Sequence, residues 1–208
     1  MFNTFAHTPY MEYKETAEAL QAHHPHLRPT SPKTVFAATT INMGPRSFSP
    51  PHVDGGNNAA GWCVATALGP FDADKGGHFV LWNLKIIVRF PPGASILFPS
   101  ALVTHSNIPV QEHEKRYSII QYSAGALFRW RYNGFKSDKA FLASATPEQL
   151  VKREQDRKVR WKRALEGFSR WEDVRTGNWK GSSMEQVRVC SELEDEVNVR
   201  PSKRVRSN

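Results

Sequence analysis

The stretch "HFVLWNLKIIVRFPPGASILF", residues 78–98, decides the fold class of this chain. It is rich in β-branched and aromatic residues and is interrupted by "PPG", a composition typical of short strands separated by turns. Comparable stretches lie between Val35 and about Phe135, namely "TVFAATTI", "WCVATAL" and "RYSIIQYSA". Several short strands at this spacing, with no helical stretch between them, predict a barrel or a sandwich.

Helical patterns flank this β-rich part. "YKETAEALQAHH" predicts a short helix that the following prolines end. A long, mostly solvated helix is predicted to follow Thr146, with Pro147 at its first position and Gln149 completing a capping box. The chain therefore divides into four parts. An N-terminal helical and proline-rich segment covers residues 1–33 and a β-rich core covers 34–135. A C-terminal helical extension follows at 136–180, and then a basic tail at 181–208 whose composition predicts disorder.

Composition limits the class of protein. Hydrophobic residues make up 39% of the 208-residue chain, which is a globular profile, and no window approaches the roughly 20 apolar residues of a membrane helix. The formal net charge of +8 favours polyanionic partners, although the basic residues are spread along the chain. Cys63 and Cys190 are too few for a disulfide framework or a cysteine zinc site, which indicates a reducing compartment.

A candidate metal site begins at "SPPHVDGGN", residues 49–57. His52 and Asp54 are two positions apart, so on a strand both side chains point to one face. An H-x-D triplet arises often by chance, but His105 follows 51 residues after Asp54, at the end of an apolar stretch. Two His and one carboxylate on one side of an ion form the facial triad of non-haem Fe(II) oxygenases, which leaves positions open for a chelating co-substrate and dioxygen.

The same β-rich part offers a partner for such a co-substrate. Arg116 and Ser118 lie 11 and 13 residues past His105 and share one strand face. If the co-substrate carries a second carboxylate, an Arg can bind that carboxylate through two hydrogen bonds, and a Ser hydroxyl can donate a further one. Taken alone, His105 could be a strand-end residue and Arg116 an ion-pair residue; the order of all five within one β-rich block favours the metal site.

Together these motifs resemble a known family. "HVDGGN", "GGHFVLW", "FPPGASILFPSALVTHSN", "RYS" and "QYSAGALFRW" are similar to blocks of the double-stranded β-helix dioxygenases that use Fe(II) and 2-oxoglutarate. Within that superfamily the chain resembles the TET/JBP group of nucleic-acid base oxidases, in particular its fungal, transposon-associated branch. The resemblance covers residues 34–135 and departs from the family at His78, Phe79 and Arg89.

The resemblance implies a mainly β fold with flanking helices around a double-stranded β-helix (jelly-roll) core. It implies that His52, Asp54 and His105 hold the iron and form the catalytic centre, and that Arg116 and Ser118 bind the 5-carboxylate of 2-oxoglutarate. Asn57 matches the family residue that contacts the target base. Asn57 could equally be a turn residue after two glycines.

The expected function is therefore Fe(II)- and 2-oxoglutarate-dependent oxidation of a methylated base in DNA, foremost 5-methylcytosine to 5-hydroxymethylcytosine and beyond. One alternative is an oxygenase that acts on a protein or a small molecule. Another is a non-catalytic barrel that binds nucleic acid or a partner through its basic helix. The expected protein is a monomer that contacts DNA and no membrane, and that resides in the nucleus or otherwise in the cytoplasm. The basic "PSKRVR" at residues 201–206 is an import signal or a solvated end.

One further stretch has two interpretations. "FRWRYNGF", residues 128–135, combines aromatic residues with Arg129 and Arg131. One interpretation is a surface at the barrel rim that stacks on nucleic-acid bases and contacts phosphates. The favoured interpretation is a final strand with its aromatic side chains in the core.

Overall fold

The computed structural model describes residues 1–178. Two antiparallel sheets form its centre. The first has the strand order β1–β7–β2–β5 and the second β4–β3–β6. The strands are β1 Ala38–Asn42, β2 Cys63–Leu68, β3 Phe79–Leu81, β4 Ile86–Val88, β5 Ser95–Phe98, β6 His105–Asn107 and β7 Tyr117–Tyr122.

Helices lie at both ends of the described chain. The helices are α1 Phe2–Phe5, α2 His7–His23, α3 Gly125–Tyr132, α4 Asp138–Ser144, α5 Pro147–Glu166 and α6 Trp171–Thr176. The capping box predicted for α5 is present, since Thr146 accepts from the Gln149 backbone N–H and the Gln149 side chain accepts from the Thr146 N–H. The mainly β prediction with flanking helices is confirmed, whereas closure of the two sheets into a double-stranded β-helix stays a prediction. Among the described residues, no helix is both long and apolar enough to span a bilayer.

The stretch at residues 78–98 folds as more than one strand. Strands β3 and β4 pair antiparallel, with Phe79 opposite Val88, and a short 3-10 turn at Trp82–Leu84 connects them. Lys85 closes this turn with a left-handed backbone, φ 56°. The core lies between the sheets and is built by buried side chains of β2, β3 and β5 with their neighbours: Cys63, Ala65, Ala67, Phe79, Leu81, Phe90, Phe98 and Val103.

The prediction of a final strand at residues 128–135 is wrong. Residues Gly125–Tyr132 form α3, and none of its residues is buried. The aromatic content resembled a strand, but Ala126, Leu127, Arg129 and Arg131 favour a helix, and α3 packs against α2 instead of joining the sheet. Phe128 contacts Tyr13 with ring centroids 4.8 Å apart.

The N-terminal helices are attached to the sheets through aromatic rings. Phe2 is buried in a second apolar cluster, with its ring edge-on to Tyr13 at 5.2 Å between centroids. It stacks on Phe36 at 5.8 Å and on Trp62 at 5.7 Å. Phe36 and Trp62 belong to the segments before β1 and β2, so Phe2 connects α1 to the β-rich core.

Replacing Phe2 with alanine is expected to destabilise the fold by about 3 kcal/mol, because a buried ring leaves a cavity that its neighbours fill incompletely. Urea unfolding would measure the change. Phe48→Ala is the matched control, since the same change at a half-exposed ring should cost far less. Equal losses in the two variants would contradict the buried position of Phe2.

Candidate metal centre

The three predicted metal ligands come together at one end of the second sheet. His52 pairs with His105 through two backbone hydrogen bonds, of 3.0 and 2.9 Å, so the segment before Asp54 runs alongside β6. The two imidazole rings pack together at 4.3 Å between centroids, and the Asp54 carboxylate lies 3.6 Å from His52 Nε2 and 3.9 Å from His105 Nε2. One ligand atom from each residue lies within 4.8 Å of the others. Within the described residues, this is the single His/Cys/Asp/Glu cluster of three or more close enough to share an ion.

Backbone carbonyls orient both imidazoles. His52 Nδ1 lies 2.7 Å from the Pro50 carbonyl oxygen, and His105 Nδ1 lies 2.9 Å from that of Val103. Each Nδ1 therefore carries the hydrogen and donates it, which leaves the Nε2 lone pair free to bind a metal. Burial lowers the pKa of His105 below its usual value, which favours the neutral imidazole that a metal requires.

Asn57 and Ser100 form hydrogen bonds that position Asp54. Asn57 Nδ2 donates to Asp54 Oδ2 at 3.4 Å and to Ser100 Oγ at 3.0 Å. The Ser100 carbonyl accepts from the Asp54 backbone N–H at 2.9 Å. Asn57, for which the sequence left a base contact and a turn residue equally open, here donates to the Asp54 carboxylate, and its Oδ1 accepts no bond within the described residues. Ser100, only 1% exposed, was not predicted.

Small side chains leave a cavity beside the three ligands. Its volume is about 430 Å³, and all six predicted site residues line it. Cys63 and Ala65 of β2 point inward there, where larger residues would fill the space. Burial raises the pKa of the Cys63 thiol to about 12, so the thiol is protonated at neutral pH in the metal-free protein.

Arg116 and Ser118 line the same cavity from the start of β7 and are each 4% exposed. Arg116 Nη1 donates to the Ser47 carbonyl oxygen at 3.1 Å, whereas its buried Nε has no partner. Among residues 1–178, Arg116 forms no ion pair, and burial lowers its pKa below the usual value. A buried guanidinium without a counter-charge is costly unless an anion binds to it.

The Ser118 hydroxyl is oriented by a residue that sequence reasoning missed. Asn42 of β1 donates from Nδ2 to Ser118 Oγ at 2.8 Å. Because the hydroxyl accepts this bond, its own hydrogen is free to donate to a ligand beside Arg116. The donor set of two imidazoles and one carboxylate fits Fe(II), and the adjacent arginine and serine fit 2-oxoglutarate, which carries a carboxylate at each end.

Of the three positions that depart from the family pattern, Phe79 lines the cavity and its ring stacks on that of His105 at 5.8 Å between centroids, whereas His78 and Arg89 lie outside it. Arg89 forms an exposed ion pair with Asp74. His78 lies before β3, and its Nδ1 is buried without a partner. Neither of these two side chains lines the cavity, so Phe79 is the departure that contacts a predicted metal ligand.

Replacing Asn57 with alanine is expected to weaken metal binding about tenfold, because residues that orient a metal ligand typically contribute this much to its affinity. Titration with Co(II), followed by absorption in the visible range, would measure the change. Asn58→Ala is the control, since the Asn58 side chain only accepts from the Ala60 backbone N–H. Unchanged metal affinity together with a raised KM for the substrate would identify Asn57 as a substrate contact alone.

Comparison with known proteins gives partial structural matches. No protein-family model and no curated protein matches the chain. Among solved structures, NgTET1 in complex with 5mC DNA is similar at 16% identity and a TM-score of 0.38, over 44% of this chain and 35% of NgTET1. The viral collagen prolyl hydroxylase vCPH from Paramecium Bursaria Chlorella virus-1, in its 2OG complex, is similar at 15% identity and a TM-score of 0.29, over 52% of this chain and 69% of vCPH. This chain thus spans about a third of NgTET1, and the chemistry of the site has to be inferred from its own side chains.

Proposed function

We propose that this protein is an Fe(II)- and 2-oxoglutarate-dependent dioxygenase of the TET/JBP type that oxidises a methylated base in DNA, foremost 5-methylcytosine. The main support for this proposal is Arg116, which is buried in the same cavity as His52, Asp54 and His105 and forms no ion pair among residues 1–178. A metal triad alone would fit many reactions. A triad that shares its cavity with a buried, unneutralised guanidinium fits a metal and a dicarboxylate bound together.

Each residue has a defined part in this function. His52, Asp54 and His105 would hold the iron, which with 2-oxoglutarate and dioxygen supplies the chemistry that inserts oxygen into a C–H bond. Arg116 would bind the distal carboxylate, and Ser118 would donate its free hydroxyl hydrogen to the same group. The His52 and Asp54 side chains are 40% and 31% exposed, which leaves an approach to the metal from solvent.

Two features support a cytosine derivative as the substrate. Asn57 Oδ1 is available to accept a hydrogen bond, and the exocyclic N4 amine of cytosine is a donor. The net charge of +8 favours a polyanionic partner. A methyl group within a stacked duplex could not reach a metal at the floor of a cavity, so the nucleotide would have to flip out.

This function would place the protein in the nucleus. The basic residues 201–206 are the proposed import signal, and they lie outside the described residues, as does the predicted disordered tail.

Succinate formation is the direct test. Purified protein would be incubated with Fe(II) and 2-oxoglutarate, alone, with a 5-methylcytosine duplex, and with the same duplex unmodified. We expect strong stimulation by the methylated duplex, followed by detection of 5-hydroxymethylcytosine among the digested nucleosides. Slow succinate formation that DNA does not change would retain the oxygenase and reject the base substrate. No succinate from folded protein would reject the oxygenase.

A further inference from the structure

Helix α5 is attached to the protein along one side only. Arg153 pairs with Asp138 at 2.8 Å and donates to Asn133 Oδ1 at 2.9 Å. Asp156 accepts from the Tyr132 hydroxyl at 2.8 Å. No residue of this 20-residue helix is buried. Residues three and four apart share a helix face, so Arg153 and Asp156 mark the attached side.

The opposite side, here called the outer face, consists of Val151, Lys158, Trp161, Lys162 and Leu165. The face is exposed although it contains large apolar side chains, since Val151 is 57%, Trp161 56% and Leu165 53% exposed. Exposed apolar side chains arranged along one helix face are typical of a surface that binds a partner. The outer face is therefore a candidate interaction surface.

The outer face lies on a helix with an excess of positive charge. The helix carries seven basic and four acidic residues. Glu154 is paired with Arg157 and Asp156 with Arg163. Within residues 1–178, Lys158 and Lys162 form no ion pair. Two ammonium groups one turn apart, on the same helix face as Trp161, therefore point to a partner that is both anionic and able to contact an aromatic ring.

We propose that the outer face of α5 binds nucleic acid, with Lys158 and Lys162 on backbone phosphates and Trp161 stacked on an unpaired or flipped base. This inference rests on the proposed function for its choice of partner. Cations alternating with an exposed aromatic ring are the combination that nucleic-acid-binding surfaces use. A lipid surface would require a continuous apolar stripe, which Glu154 and Lys158 interrupt between Val151 and Trp161.

Salt-dependent binding would test this surface. Fluorescence anisotropy of a labelled 5-methylcytosine duplex, with and without a single-stranded overhang, would be measured with the full chain over a range of KCl concentrations. The double variant Lys158→Gln/Lys162→Gln should reduce the slope of log K against log salt by about 2, since each phosphate contact contributes about 1. Trp161→Ala should weaken binding of the overhang duplex about fivefold or more and leave the slope unchanged.

The control variant removes the same net charge elsewhere. Lys14→Gln/Lys75→Gln changes two lysines that already face carboxylates, Glu18 at 4.0 Å and Asp72 at 3.4 Å. It should leave the slope nearly unchanged. An equal loss in the control, or an unchanged slope in the Lys158/Lys162 variant, would overturn the proposal.

The proposed enzyme and the proposed surface fail in different assays. Succinate formation without DNA should be the same in the wild type and in the α5 variants, because these residues lie outside the cavity. Normal DNA-independent turnover with no nucleic-acid binding would reject the α5 surface and keep the oxygenase. Salt-dependent binding through α5 without any turnover would keep the surface and reject the oxygenase.

Discussion

Replacing Asp54 with alanine is expected to abolish 2-oxoglutarate turnover while the protein stays folded. Asp54 supplies the one carboxylate of the candidate metal site and lies within 4 Å of Nε2 of both imidazoles. Loss of residues that merely orient a ligand weakens metal affinity about 10- to 100-fold, so loss of the ligand itself should exceed this range. Anaerobic titration with Fe(II) or Co(II) would give the affinity, and succinate formation would give the activity.

The fold should tolerate this change because Asp54 is 31% exposed and its side chain has one weak hydrogen bond, from Asn57 at 3.4 Å. Asp74→Ala is the matched control. It removes an exposed carboxylate that pairs with Arg89, outside the cavity, and should leave metal affinity unchanged. Metal affinity of Asp54→Ala equal to that of the wild type would show that the three residues do not form a metal site.

Replacing Arg116 with methionine is expected to weaken the response to 2-oxoglutarate about 100-fold and, at the same time, to stabilise the ligand-free protein by about 1 kcal/mol or more. The guanidinium is buried without a counter-charge, and exchanging buried charge for an apolar side chain of similar length often stabilises a protein. A lost pair of charge-assisted hydrogen bonds should raise the KM for 2-oxoglutarate about 100-fold.

Thermal unfolding with and without 2-oxoglutarate would test both effects. The wild type should gain stability as the ligand concentration rises, because the ligand binds the folded state alone. Arg116→Met should have a higher Tm without ligand and show a much smaller ligand-dependent shift. Arg89→Met, at an exposed ion pair, should behave as the wild type towards 2-oxoglutarate. A lower Tm in ligand-free Arg116→Met would mean that the arginine serves the fold rather than a ligand.

Local sequence patterns predicted a strand, the start of a helix and the grouping of the candidate metal ligands. The alternation of β2, in which Cys63, Ala65 and Ala67 are buried and their neighbours are not, follows from the two-residue repeat of a strand. The start of α5 at Thr146 follows from a capping box, which involves residues three positions apart. The order of His52, Asp54 and His105 predicted a metal cluster, and the three side chains do come together. Their roles in catalysis stay a prediction.

Prediction from the sequence was wrong for a segment whose structure depends on its neighbours in the fold. Residues 128–135 have the aromatic content of a strand, yet they form α3 and its end, since β7 before them is already paired on both sides, with β1 and β2, and α3 packs against α2. Periodicity over a few residues does not distinguish a short strand from a helix when the chain gives no clear repeat. Phe128 contacts Tyr13 of α2, which is distant in sequence, so no local sequence pattern predicts this contact.

By itself the sequence determined which side chains are available and which share a strand face, since these follow from the geometry of a single element. The tertiary structure alone decided which of them meet. Asn57 reaches Ser100 across 43 positions, and Asn42 reaches Ser118 across 76. Strand register sets the second pair, since Asn42 lies opposite Ser118 in the β1–β7 pairing, whereas the first joins two residues outside the strands. Register depends on how both sheets pack their inner faces. The same packing buries Arg116, which forms no ion pair among residues 1–178. This burial, and not the motif alone, makes anion binding in the cavity favourable.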